Sequence, residues 1–139
     1  AVTFNKAVNM KNIDIIKDLY QKMADKDHDG IREILDPHVE WSLMPGLPGG
    51  GNLLGIDSFF ESVLQPANDN WTGWKEVPGT IIASGSRVVV TGHYEGVFKK
   101  TRRLLKASFS HHFTLKSGKV VRVEQFTDTF LFAKAMGLC

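Results

Sequence analysis

The chain has 139 residues, 42% hydrophobic and 23% charged, a balance that supports one folded domain over 1–139 and excludes disorder as its dominant state. Its 17 Lys and Arg against 15 Asp and Glu leave a net charge of +2, too even for a strongly basic nucleic-acid-binding face. The single Cys139 allows no intrachain disulfide, residues 1–10 lack the apolar core of a signal peptide, and no apolar run approaches the roughly 20 residues that cross a bilayer, so a soluble, cytoplasmic protein is expected.

Asn12 is placed to cap a helix over residues 12–25, where Ile13, Ile16, Leu19, Tyr20 and Met23 recur at helical spacing between polar residues. A second short helix, 31–35, opens after Asp29-Gly30 and stops at Asp36-Pro37, because the residue before a proline is pushed out of helical geometry. Residues 38–44 then alternate, with Val39, Trp41 and Leu43 on one face, which predicts a strand. Two prolines and four glycines make 45–51 a loop. Asp57 can cap a helix over 58–64 with Phe59, Phe60, Val63 and Leu64 on its apolar side, and 66–73 reads as turn. From Trp74 onward the period is two, predicting strands at 74–83, 87–98, 104–115 and 119–127 joined by short loops and therefore antiparallel. A last helical turn or two covers 130–136. Helices first and a meander afterwards mean an α+β fold, with one curved antiparallel sheet wrapped around the N-terminal helix and an open end suited to a small ligand.

Several segments together resemble a known family. They are Asp27-His28-Asp29-Gly30-Ile31 leading to Leu35-Asp36-Pro37-His38-Val39-Glu40-Trp41, Gly46-Leu47-Pro48 with Gly55, Arg87-Val88-Val89-Val90, Phe109-Ser110-His111, and Gly118-Lys119-Val120-Val121 followed by Gln125-Phe126-Thr127-Asp128-Thr129. In order and spacing, over about residues 10–130, they resemble the SnoaL-like and ketosteroid-isomerase-like families of the nuclear-transport-factor-2-like superfamily. The resemblance implies a conical α+β barrel, with the sheet mixed at its edge, and a homodimer through the outer sheet face. Its members include isomerases, dehydratases, epoxide hydrolases, polyketide cyclases and proteins without known chemistry, so the site must decide the function. Ketosteroid isomerase pairs an aspartate base with a tyrosine and a protonated aspartic acid. Here Trp41 stands in the place of the base, the tyrosine's place falls near Leu19, one position from Tyr20, and Ser108 to Ser110 offer no carboxylate. Steroid isomerisation by that mechanism is not expected.

His111 shares a strand face with Phe109 and Phe113, where a neutral imidazole can serve as acid or base or simply pack in the barrel wall; the family's use of histidine there favours function. His112 alternates outward. Asp128 can orient an imidazole or take a proton at a cavity mouth, or it can cap the last helix. Gln125, on the face of Val121 and Val123, needs a partner for its amide. His93 lies on a mixed face, and would form a dehydratase-like pair with His111 if both point inward. Trp41, Phe59, Phe60, Phe109, Phe113 and Tyr20 make an aromatic chamber or plain core.

No His-x-x-x-His or Cys-x-x-Cys pair is present, and adjacent His111-His112 diverge on a strand, so no metal site is expected. No GxSxG elbow, P-loop or dinucleotide fingerprint occurs. Gly49, Gly50 and Gly51 read as a hinge or lid. Lys99, Lys100, Arg102, Arg103 and Lys106 form the one basic cluster, read as a solvated hairpin tip that also discourages edge pairing. The expectation is a pocket protein for a small apolar molecule, without nucleic-acid or membrane partners. If it is an enzyme, it performs cofactor-independent isomerisation, cyclisation or dehydration of a cyclic or carbonyl-bearing substrate, with His111 and Asp128 as acid/base groups and Trp41, Tyr20, Phe60, His93, Phe109, Phe113 and Gln125 binding substrate. The alternative is a non-catalytic binding or dimerising module of the same fold.

Overall fold

Helix α1 (Asn12–Ala24) turns Ile15, Ile16, Leu19 and Tyr20 into the core, and leaves its lysines and aspartates outside. Ile15 rather than Ile13 occupies the buried face. Asn12 is not the cap: Lys11 holds the extended N-cap conformation, and the Asn12 amide donates to the Gly85 carbonyl at 3.1 Å. The computed structural model describes residues 11–139; the expectation about a leader in residues 1–10 falls outside them. No helix among the described residues is long and apolar enough to cross a membrane.

Helix α2 (His28–Ile34) starts three residues earlier than the sequence suggests, because Asp27 caps it by accepting from the Gly30 N–H at 3.0 Å. Strand β1 (Leu35–Leu43) follows at once. Pro37 is tolerated there because the β1–β6 pairing is irregular between Leu35 and Glu40, where its missing N–H breaks no ladder bond. Part of the expected loop is strand β2 (Gly51–Leu54), which pairs antiparallel with β1 from Leu43↔Gly51 to Glu40↔Leu54. The tight turn before it requires glycine at 50, where a Cβ would lie 2.2 Å from the Met44 carbonyl oxygen.

The next helix is longer than its sequence signature. It runs as α3 (Ile56–Phe59), a wider π turn (Phe60–Leu64) and α4 (Gln65–Asn70), so residues 66–70 are helical rather than turn. Gly55, not Asp57, is its N-cap; Asp57 sits in the first turn and pairs with Arg32 at 3.2 Å. Pro66, which has no N–H to return to the preceding turn, stands two residues beyond the π segment, after Gln65.

Strands β3 (Trp71–Ser84), β4 (Arg87–Phe98), β5 (Leu104–Lys116) and β6 (Lys119–Thr127) form the predicted meander. The six-stranded sheet has the order β2-β1-β6-β5-β4-β3, antiparallel throughout except for the parallel β1–β6 pair, and it is curved and unclosed. Alternation on β5 is complete: Leu105, Ala107, Phe109, His111, Phe113 and Leu115 are buried, with Phe109, His111 and Phe113 meeting Tyr20 of α1, and their neighbours face out. Gly92 on β4 admits the Phe109 ring beside a register shift in β3, where a Cβ would lie 2.1 Å from the Val77 carbonyl oxygen and 2.8 Å from Phe109 Cζ. Helix α5 (Thr129–Ala135) closes the chain by packing Phe132 against Trp71, Trp74 and Tyr94. Its terminal carbonyls, of Lys134 and Ala135, accept from Arg103 and Thr101, so the β4–β5 hairpin tip holds this helix down.

Candidate active site

The inner sheet face gathers its polar atoms at one place. Across β3, β4, β5 and β6 the paired register sets Glu76 beside Tyr94 and His111 beside Gln125. Helix α1 brings Tyr20 down onto the same spot. The Tyr20 hydroxyl lies 2.6 Å from His111 Nδ1, and the Tyr94 hydroxyl lies 2.6 Å from His111 Nε2. Gln125 accepts from the Trp41 indole N–H at 2.8 Å, and its amide nitrogen lies 3.4 Å from the Tyr94 hydroxyl and 3.3 Å from His111 Nε2. Phe109 stacks on the imidazole face, with ring centroids 3.8 Å apart. Phe113 meets its edge and that of Tyr20, while Trp74 stacks on Tyr94.

This packing controls protonation. Desolvation, with a smaller contribution from the neighbouring His112, pulls His111 down from 6.5 to about 3, so the ring is neutral at physiological pH. The phenols of Tyr20 and Tyr94 are pushed up by burial first and by the Glu76 carboxylate second, so both keep their protons. Glu76 is the exception to the pairing around it. Its Oε1 is 4.0 Å from His111 Nε2, beyond hydrogen-bond range, and among the described residues it has no hydrogen-bond partner. Its side chain is only 12% exposed, and burial raises it from 4.5 to about 7. A carboxyl group poised near neutrality beside two phenols and a neutral imidazole is equipped to accept and return a proton.

The expected residues divide on this geometry. His111, Gln125, Trp41, Tyr20, Phe109 and Phe113 converge, and Phe59 stacks on Trp41 at 4.1 Å. Phe60 points elsewhere, lying under the Arg32 guanidinium and beside His28. His93 does not pair with His111: on β4 it alternates to the face opposite Tyr94 and bonds to Glu95 at 2.9 Å. Asp128 does not orient the imidazole either, since both ring nitrogens are taken by tyrosines; it is exposed and caps α5 by accepting from the Leu131 N–H at 3.1 Å. His112 faces out against Phe126. Sequence reasoning passed over Glu76 and Tyr94. Both carry the signal of alternation, Tyr94 with Val88 and Val90 and Glu76 with Trp74, but a single acid near a strand's start reads by default as solvated. Among the described residues no group of three or more His, Cys, Asp or Glu is placed to hold a metal. A separate open groove of about 300 Å³ along β2, β1 and β6 is lined by Trp41 but by neither His111 nor Glu76.

A family model described as SnoaL-like domain matches residues 16–123, which span α1 through most of β6. The chain belongs to the SnoaL-like domain family. A solved NTF2-like protein from Burkholderia thailandensis E264 is 28% identical, with a TM-score of 0.86 over 91% of this chain and 98% of its own. TerC, crystallised with polyporic acid, is 30% identical, with a TM-score of 0.77 over 91% of this chain and 98% of its own. A protein described as a SnoaL-like polyketide cyclase from Jannaschia sp. CCS1 shares the fold at 18% identity, TM-score 0.79, over 92% of each chain. No curated protein matches the sequence. The SnoaL-like domain thus carries its candidate site where the sheet's inner face meets α1.

Proposed function

We propose that this SnoaL-like domain performs proton-transfer chemistry on a small cyclic carbonyl compound, with Glu76 as the base. The observation that carries the reading is the Glu76 carboxyl, unpaired among the described residues, raised to about 7 and 4.0 Å from His111. As carboxylate it takes a proton from carbon next to the substrate carbonyl. A tyrosine hydroxyl held by His111 donates to the oxygen on which the negative charge develops, a stabilisation strong in so dry a setting. Returning the proton to another carbon of the enolate gives isomerisation; passing it to a hydroxyl on the neighbouring carbon, which leaves as water, gives dehydration; and attack of the enolate carbon on a second carbonyl of the substrate, whose oxygen then takes the proton, gives cyclisation. His111, neutral and bonded at both nitrogens, acts as support for the tyrosines rather than as the proton acceptor. Tyr20, Phe109 and Phe113 offer the flat apolar walls such a ring would need. The 30% identity to TerC, crystallised with polyporic acid, supports a small organic ligand. The reading includes a homodimer through the outer sheet face, supported by exposed Ile82 and Phe126 there; sedimentation of a monomer at micromolar concentration would count against it.

The test is incubation of wild type and Glu76→Gln with polyporic acid and a panel of cyclic diketones in deuterated water, read by mass spectrometry. Wild type is expected to exchange or convert at least one compound, and Glu76→Gln to lose roughly 100-fold or more of that rate. Binding without exchange or conversion would favour a non-catalytic ligand-binding module, the reading that the fully engaged imidazole supports.

A further inference from the structure

The hydrogen bonds around His111 have a direction, and Trp41 sets it. An indole N–H can only donate, so the Gln125 atom 2.8 Å from it is the carbonyl oxygen and the amide NH2 faces the other way. That NH2 lies 3.3 Å from His111 Nε2 and 3.4 Å from the Tyr94 hydroxyl oxygen. A donor so placed calls for a lone pair on Nε2. The Tyr94 hydroxyl, itself receiving the amide, then donates to the same nitrogen across 2.6 Å. A neutral imidazole carries one proton, which is left to Nδ1 and is donated to the Tyr20 oxygen at 2.6 Å. The two rings are within 4° of parallel with centroids 6.0 Å apart. That spacing is compatible with a phenol oxygen in the imidazole plane, where the Nδ1 proton points. Phe109 on the ring face holds this orientation. The hydroxyl proton of Tyr20 has no acceptor among the described residues.

We propose that Trp41 and Gln125 are positioning residues that, through Tyr94, lock His111 in the Nδ1–H tautomer and leave the Tyr20 hydroxyl as the donor that meets a ligand oxygen. The ligand half of this rests on the proposed function; the tautomer does not. Neither Trp41 nor Gln125 touches the reacting atoms. They act by denying His111 the opposite arrangement, in which Nε2–H donates to Tyr94 and Tyr20 spends its proton on Nδ1.

The experiment is ¹⁵N NMR of the intact protein labelled in histidine, at pH 8, assigning the His111 ring nitrogens by comparison with His111→Gln. The protonated and lone-pair nitrogens differ in shift, and the expected spectrum has the proton on Nδ1; a proton on Nε2 overturns the proposal. Gln125→Glu supplies the reversal test. A carboxylate there has no proton to give, so Tyr94 must donate to it, Nε2 to Tyr94, and Tyr20 to Nδ1, and the two signals are expected to exchange places. A folded Gln125→Glu protein with the wild-type tautomer removes Gln125 from the role, and if that variant does not fold the wild-type spectrum decides the tautomer by itself. Turnover is not part of this readout, so failure of the proposed chemistry and failure of the tautomer assignment are separately visible.

Discussion

Replacing Glu76 with Gln removes an ionisable group while keeping its shape, and the consequences for stability can be worked out before any substrate is known. In the native protein the Glu76 carboxyl is raised from 4.5 to about 7 by burial. A group with a raised native pKa contributes fully below its unfolded value, and that contribution is lost as pH climbs through the native one. Here the loss runs from about pH 4.5 to beyond pH 7 and, from the size of the rise, amounts to roughly 3 kcal/mol. His111 slopes the other way. Its native pKa is depressed from 6.5 to about 3, so its contribution is complete above 6.5 and fades as pH falls toward 3. The two slopes oppose each other between about 4.5 and 6.5, giving the wild type a flat stability profile there and a decline above it. Glu76→Gln leaves only the rising limb. Denaturant unfolding at pH 4.5, 6 and 8 should therefore find the variant close to wild type at the lowest pH and more stable by roughly 3 kcal/mol at pH 8. Parallel profiles for the two proteins would refute the reasoning, since they would mean that folding does not perturb Glu76. A stabilised but inactive variant is the pattern expected when a group is kept for function at a cost in stability.

Three further substitutions probe the placement of the rest. Asp128→Ala should cost about 1 kcal/mol in denaturant unfolding through loss of the α5 cap, with ligand binding unchanged. His93→Gln, on the outer face with Glu95, should leave binding and any turnover at wild-type levels in the mass-spectrometric assay. Gly92→Ala should lower stability by about 3 kcal/mol or more in thermal melts, because its Cβ would collide with the Val77 carbonyl and the Phe109 ring.

The sheet was readable because its chemistry repeats. On β5, Leu105 to Leu115 alternates buried and outward residues without a break, and strands β4 to β6 fall within a residue of their predicted limits. Elements whose stability comes from partners were not readable. Strand β2 is four residues long and follows a run of glycines, and it is a strand only because β1 lies beside it. The helix over 56–70 outruns its apolar pattern through a π turn that accommodates Pro66. At the site, the inward direction of His111 followed from its neighbours Phe109 and Phe113. Gln125's need for a partner was also legible, but its partner Trp41 lies 84 positions away in the chain, and no spacing rule connects them. Asp128 offered two roles, and its position directly before α5 selects the cap. Glu76 was hidden because a carboxylate on a strand is ordinarily solvated; only the paired register with Tyr94 and the descent of Tyr20 from α1 enclose it.

The protonation of Glu76 is the point on which the chemical account turns, and it can be read directly. Titrating the side-chain carboxyl carbon of Glu76 by ¹³C NMR, with Glu76→Gln to assign the signal, should give a midpoint near 7. A midpoint at the ordinary glutamate value near 4.5 would mean an open, solvated carboxylate and would contradict the account.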